Sequence, residues 1–214
     1  MSSRALLFPA GTLAHLPEAE VAAHRELAAL SRLEDAGMPL GVVVLPSAIE
    51  ESFYRLNNLP RRLARLYQGL DPYDPDEDIL EEVEGAAMRL VTESYLLDDV
   101  IDAIYASLAG MSGPLVVRRP GSHGEAVTGA RAALLAVKRA YRDDWGARAV
   151  LDRLELSGRL GVEAHPVLLH GADAPGAPVG AVEYVIGEAL GARALTSVDA
   201  SGAITRVSQA DDAA

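Results

Sequence analysis

Apolar residues recur along this chain in two rhythms, and their alternation sketches the elements. Over residues 17–36, Ala23, Leu27, Leu30 and Leu33 fall on one helical face, and Gly37 with Pro39 supplies a stop. Residues 41–45 read Gly-Val-Val-Val-Leu, a β-branched run of the kind buried on both faces of a sheet. Pro46 and Ser47 open a helix through Ala48, Ile49 and Phe53, with Glu50 and Glu51 in the first turn, where the dipole favours acids. Arg61, Arg62 and Arg65 lie on a short helix that ends near Gly69. Two helices with spacing close to 3.6 follow a loop of Asp and Pro. One carries Ile79, Val83, Ala86, Leu90 and Val91. The other carries Leu97, Val100, Ile101, Ile104 and Leu108, and ends at Gly110.

The second half turns towards strands. Residues 115–119 predict a strand, and residues 126–142 a helix on Ala126, Ala130, Ala133, Leu134, Val137 and Tyr141. A further helix covers 147–156, stopped by Gly158 and Gly161. Strands are expected at 165–170 and 181–186, then a hairpin in which 194–199 and 203–207 flank Ala200-Ser201-Gly202. Residues 5–9 read as a short strand or extended arm, and 208–214 as a frayed tail. The order predicts an α+β fold, helix-rich first, with a mixed or antiparallel sheet completed by the C-terminal third. One compact domain over 1–207 is expected, or two lobes at 1–112 and 113–207.

Composition narrows the function classes. The 214 residues hold 31 acids against 19 bases, a net charge of −12, which would repel a phosphate backbone and argues against nucleic acid as partner. Without cysteine there is no disulfide, thiolate zinc site or cysteine nucleophile. The first residues lack the long apolar core of a signal peptide, and no stretch reaches the ~18 apolar residues of a membrane span. A cytoplasmic protein with no membrane partner is expected.

The chemistry concentrates at 114–124, Pro-Leu-Val-Val-Arg-Arg-Pro-Gly-Ser-His-Gly. Arg118 and Arg119 end a strand beside a loop rich in backbone N–H groups, with Ser122 and His123 close by. A guanidinium grips phosphate or carboxylate oxygens bidentately, and loop amides add donors. Either the site binds an anion or the arginines pair with acids of this acidic chain. His123 could donate to a phosphate or act as acid or base, or simply sit in solvent. His165 and His170 are expected on opposite faces of one strand, which argues against one shared metal. The acids at 71, 74 and 76–78 lack the glycine and terminal glutamate of an EF-hand loop and read better as a solvated loop capping the next helix. Arg131, Lys138 and Arg142 line one helical face, either funnelling an anion towards Arg118 or facing solvent. No Gly-x-Ser-x-Gly elbow and no P-loop is present.

Four segments carry a family resemblance. Asp35-Ala36-Gly37-Met38-Pro39-Leu40-Gly41-Val42-Val43-Val44, Val116-Val117-Arg118-Arg119-Pro120, Ala133-Leu134-Leu135-Ala136-Val137-Lys138-Arg139-Ala140-Tyr141, and Gly187-Glu188-Ala189-Leu190 with Gly202-Ala203-Ile204 occur in this order. Together they resemble the N-terminal ATP-binding domain of the phosphoenolpyruvate synthase and pyruvate phosphate dikinase family, an ATP-grasp-like fold. The resemblance implies ATP and Mg²⁺ as ligands, Arg118 as an ATP contact and Glu183 as the acid that holds the metal. It also puts departures in view. The family's phosphate-binding lysine would align near Glu26, the serines after the strand arginine are replaced by Arg119 and Pro120, and the covering loop is shortened to 121–128. The implied protein is a degenerate dikinase-type domain. It would bind a nucleotide or other phosphorylated small molecule through Arg118, Arg119, Ser122 and His123, with little or no phosphotransferase activity alone. The alternative is a non-catalytic scaffold acting through self-association or a partner protein.

Overall fold

A computed structural model describes residues 13, 16–111, 113–172, 189–190, 194–199 and 201–209. The elements expected at 5–9 and 181–186 lie outside the described residues. Among those described, the helices are α1 (Glu18–Ala23), α2 (Arg25–Asp35), α3 (Ser47–Leu56), α4 (Leu59–Leu66), α5 (Glu77–Glu93), α6 (Asp98–Leu108), α7 (Ala130–Asp143) and α8 (Ala147–Ser157). The strands are β1 (Val42–Leu45), β2 (Pro114–Arg118), β3 (Glu125–Thr128), β4 (Val167–Gly171), β5 (Ala194–Val198) and β6 (Ile204–Gln209). The fold is α+β. An antiparallel four-stranded sheet has the order β1-β4-β2-β3, and β5 pairs with β6 as a separate antiparallel hairpin. The sheet takes β1 from the first half of the chain and the rest from the second, so a cut between 112 and 113 would pass through it.

Strand alternation sends side chains to two cores. Val43, Leu45, Leu115, Val117, Val167 and Leu169 face a large core built with α3 to α8. Val42, Val44 and Leu168 face a smaller one built with Leu27, Leu30 and Leu33 of α2, and Ile204 and Val207 of β6. β1 is therefore buried on both faces, which explains its unbroken apolar run. The hairpin is tied on by Gly41 N–H to the Ile204 carbonyl at 2.8 Å and Ile204 N–H to the Pro39 carbonyl at 2.9 Å.

Three local expectations need correction. The helix expected over 17–36 is broken at His24, whose extended backbone (φ −125°, ψ 110°) separates α1 from α2. The helix expected from Ala126 starts at Ala130, because Glu125–Thr128 is strand β3 paired to β2. Ala126 happened to share the helical phase of Ala130 and Ala133, whereas Gly129 (φ 87°) ends the strand and begins the helix. Ser208 and Gln209, expected in the tail, still belong to β6.

Beneath the sheet the large core holds an aromatic group. Trp145 Nε1 donates to Tyr54 Oη at 3.0 Å, and that hydroxyl donates to the Tyr141 carbonyl at 3.2 Å. Trp145 and Tyr54 thus keep their polar ring atoms partnered. On this group rests Arg119, the residue just past β2, its guanidinium over the Tyr141 ring.

Candidate functional site

Arg118 and Arg119 adjoin in sequence but go to opposite faces of the sheet. Arg118 shares its face with Leu168, directly opposite on β4, and with His170, diagonally placed. Its side chain is wholly buried. Nη1 and Nη2 donate to the two carboxylate oxygens of Glu26 at 2.6 and 2.7 Å, in the bidentate fork that guanidinium favours. Nη2 also donates to the Thr205 carbonyl at 2.9 Å, and Nε donates to His170 Nε2 at 3.0 Å. Because that ring nitrogen accepts, the His170 proton sits on Nδ1, which faces the Gly171 carbonyl at 2.7 Å.

Glu26 lies in the first turn of α2, on the same stripe as Leu30 and Leu33. It collects more than Arg118. Gly121 N–H donates to Oε2 at 2.7 Å and Val207 N–H to Oε1 at 3.3 Å. The loop amide and the guanidinium expected to hold an anionic ligand therefore hold a carboxylate of the chain itself.

The loop that carries Gly121 is tightly constrained. Ser122 Oγ donates to the Arg119 carbonyl at 3.0 Å and accepts from Arg119 N–H at 3.1 Å, closing the turn. Arg206 of β6 donates to the Ser122 carbonyl and approaches Nδ1 of the exposed His123 at 3.3 Å. Gly124 (φ 76°) is required, since a Cβ there would stand 2.3 Å from the Arg118 Cβ and 2.5 Å from the Val117 carbonyl oxygen.

Arg119 turns into the large core. It donates to both oxygens of the buried Glu50 at 2.9 and 2.8 Å, to Asp144 Oδ2 and to the His165 carbonyl. Its guanidinium lies 5.3 Å from the Tyr141 ring centroid. Nε has no partner among the described residues. One cation thus serves two carboxylates. Burial pushes both Glu50 and Asp144 above the usual carboxylate range, with Arg119 pulling the other way. Burial also opposes the charge on Arg119, but Glu50 and Asp144 outweigh it and hold that charge firmly.

Asp144 and His165 reach the surface in a cleft of about 300 Å³, which Asp152, Arg153, Leu156 and Glu163 also line. Arg153 is engaged there, donating to the Asp144 and Gly161 carbonyls and stacking 4.7 Å from the Trp145 centroid. The His165 ring meets His24 edge to face at 6.1 Å between centroids. Burial depresses both histidines, and for His24 the neighbouring His165 adds to the effect. Perturbed groups beside a cleft are the usual marks of a working site, yet buried ion-pair networks leave the same marks.

The sequence-predicted residues are thus only partly assembled. Arg118 and Arg119 are separated by the sheet, Ser122 closes a turn, His123 is exposed, and Glu183 lies outside the described residues. His170 lies on β4 but His165 precedes it, so the two do not share a strand as expected; His170 meets Arg118 and His165 lines the cleft. Arg131, Lys138 and Arg142 belong to α7, on the sheet face opposite Arg118, so they form no funnel to it. The acidic loop does cap α5, with Asp76 Oδ1 accepting from Asp78 and Ile79 N–H at 2.9 and 3.4 Å. Among the described residues no group of three or more histidine and carboxylate side chains is set to hold a metal ion, and no helix is long and apolar enough to cross a membrane. Sequence reasoning missed Glu50 and Asp144 as partners of Arg119, and saw Glu26 only as a misplaced charge. No protein-family model matches the chain, and no curated protein matches it either.

Proposed function

We propose that this chain is a non-catalytic protein that acts by association, with the anion position of an ATP-grasp-like fold filled by its own carboxylate. The observation that carries this reading is the pairing of Glu26 with Arg118 and Gly121. Those are the donors a phosphate would need. To use them, a phosphate would have to displace a carboxylate held by four hydrogen bonds, or share its place with a like charge. In the dikinase family that this chain resembles, a phosphate-binding lysine stands near the position of Glu26. The reversed charge makes Mg-ATP a poor fit to the residues present. Arg119 is equally committed on the other face, and the cleft beside it carries three carboxylates against one engaged arginine.

The test is a thermal melt with Mg-ATP, Mg-ADP and Mg-pyrophosphate. A ligand at ~100 times its dissociation constant stabilises by ~2.7 kcal/mol, roughly 5–10 °C for a domain of this size. No shift is expected from any of the three. A shift of several degrees that disappears in Arg118→Lys would overturn the reading and restore a nucleotide site.

A further inference from the structure

Residues 52–70 carry four arginines, Arg55, Arg61, Arg62 and Arg65, and no acidic residue. Residues 71–82 carry seven acids and no base. The structure keeps both runs at the surface. All four arginines and all seven acids are exposed. None of the eleven takes part in a salt bridge among the described residues, although α4 and α5 pack against each other. Within α4, Leu59 and Leu63 are buried in the core while Arg61, Arg62 and Arg65 stay exposed.

We propose that two copies of this chain associate about a two-fold axis, the arginine face of α4 in each meeting the acidic stretch 71–82 of the other. A patch with unmet charge of both signs side by side is self-complementary under two-fold rotation, as an isologous interface requires. Tyr73, 89 % exposed, and Leu56, 57 % exposed, border the patch and supply apolar anchors, and Tyr and Arg are the side chains most enriched where interfaces hold their energy. A polyphosphate or anionic bilayer is disfavoured by the adjoining acids and by the net charge of −12. The inference rests on the non-catalytic reading above but is tested apart from it, because its readout is mass and not ligand binding.

Sedimentation equilibrium of the full chain at low salt is expected to show concentration-dependent dimerisation of the 22.5 kDa monomer. Exposed ion pairs are screened when the Debye length falls to about 3 Å at 1 M salt, so the dimer should dissociate there. Arg61→Glu with Arg62→Glu and Arg65→Glu should be monomeric. So should Asp74→Lys with Glu77→Lys and Glu81→Lys, a set that spares the Asp76 cap. An equimolar mixture of the two variants should dimerise, since each then offers the face the other lacks. Circular dichroism must match the wild type, and the milder Arg→Gln set, which should weaken the dimer at least tenfold, stands in for any variant that misfolds. A wild type that stays monomeric at low salt overturns the proposal, as does a dimer indifferent to both variants. So does a mixture that fails to pair, or dimerisation that survives high salt. A monomer that also shows no nucleotide shift would refute the dimer and leave the filled anion position standing.

Discussion

Replacing Arg118 by Met tests what that guanidinium does. The new side chain has similar reach and no charge. Glu26, whose side chain is only 5 % exposed, would keep its amide bonds from Gly121 and Val207 but lose both guanidinium donors. Removing one partner of a buried pair leaves an uncompensated charge and costs about 3–5 kcal/mol, against ~1 kcal/mol or less for an exposed pair. In a domain of this size that is a fall in Tm of roughly 6–20 °C. The companion variant, Glu26→Gln with Arg118→Met, removes both charges and keeps one oxygen for the Gly121 amide, the closer of the two amide donors. It should recover most of the loss, to within about 2 kcal/mol of wild type, because replacing a buried ion pair by neutral groups is often close to neutral. Urea denaturation followed by circular dichroism measures all corners of the cycle. If Arg118→Met costs less than about 1 kcal/mol, or the double variant is no better than the single, Glu26 and Arg118 are not coupled and the filled-site argument fails.

Three further outcomes follow from other parts of the structure. Gly124→Ala should cost about 3 kcal/mol or more, combining a left-handed backbone with a Cβ driven into Arg118, and a mild effect would mean the hairpin is loose. Asp76→Ala should cost about 1 kcal/mol through loss of the α5 cap, read as a Tm drop of a few degrees with unchanged secondary structure. The depressed pKa of His24 and His165 means the unfolded chain takes up protons that the fold resists, so their contribution is intact above about pH 6.5 and is lost as pH falls below it. Tm should therefore decline between neutral and mildly acidic pH, and His24→Gln with His165→Gln should flatten that decline. An unchanged slope would refute the assignment.

The legible parts of the fold were those with strong local periodicity. β1 announced itself as an apolar run because both of its faces are covered, and α5 and α6 by regular stripes. β3 was illegible: it has four residues, mostly exposed, and its Ala126 kept helical phase with α7. The site was legible as chemistry but not as geometry. Arg118 and Arg119 stood out at a strand end, yet their partners lie 92 and 69 residues away in sequence, beyond any local pattern. A signal was present all the same. Glu26 falls on the stripe of Leu30 and Leu33, and Glu50 beside Phe53 and Tyr54, so each helix sends one carboxylate inward. A buried carboxylate needs a buried cation, and two adjacent arginines at the end of a strand with a core on each face are the natural match.

The most direct measurement is the Arg118 side-chain Nε–H resonance in a ¹⁵N-resolved NMR spectrum, assigned through Arg118→Met and followed as Mg-ATP or Mg-pyrophosphate is added. A guanidinium held by Glu26 and His170 should give a slowly exchanging signal that does not move with either ligand. A rapidly exchanging signal, or one that shifts as phosphate is titrated, would contradict the account.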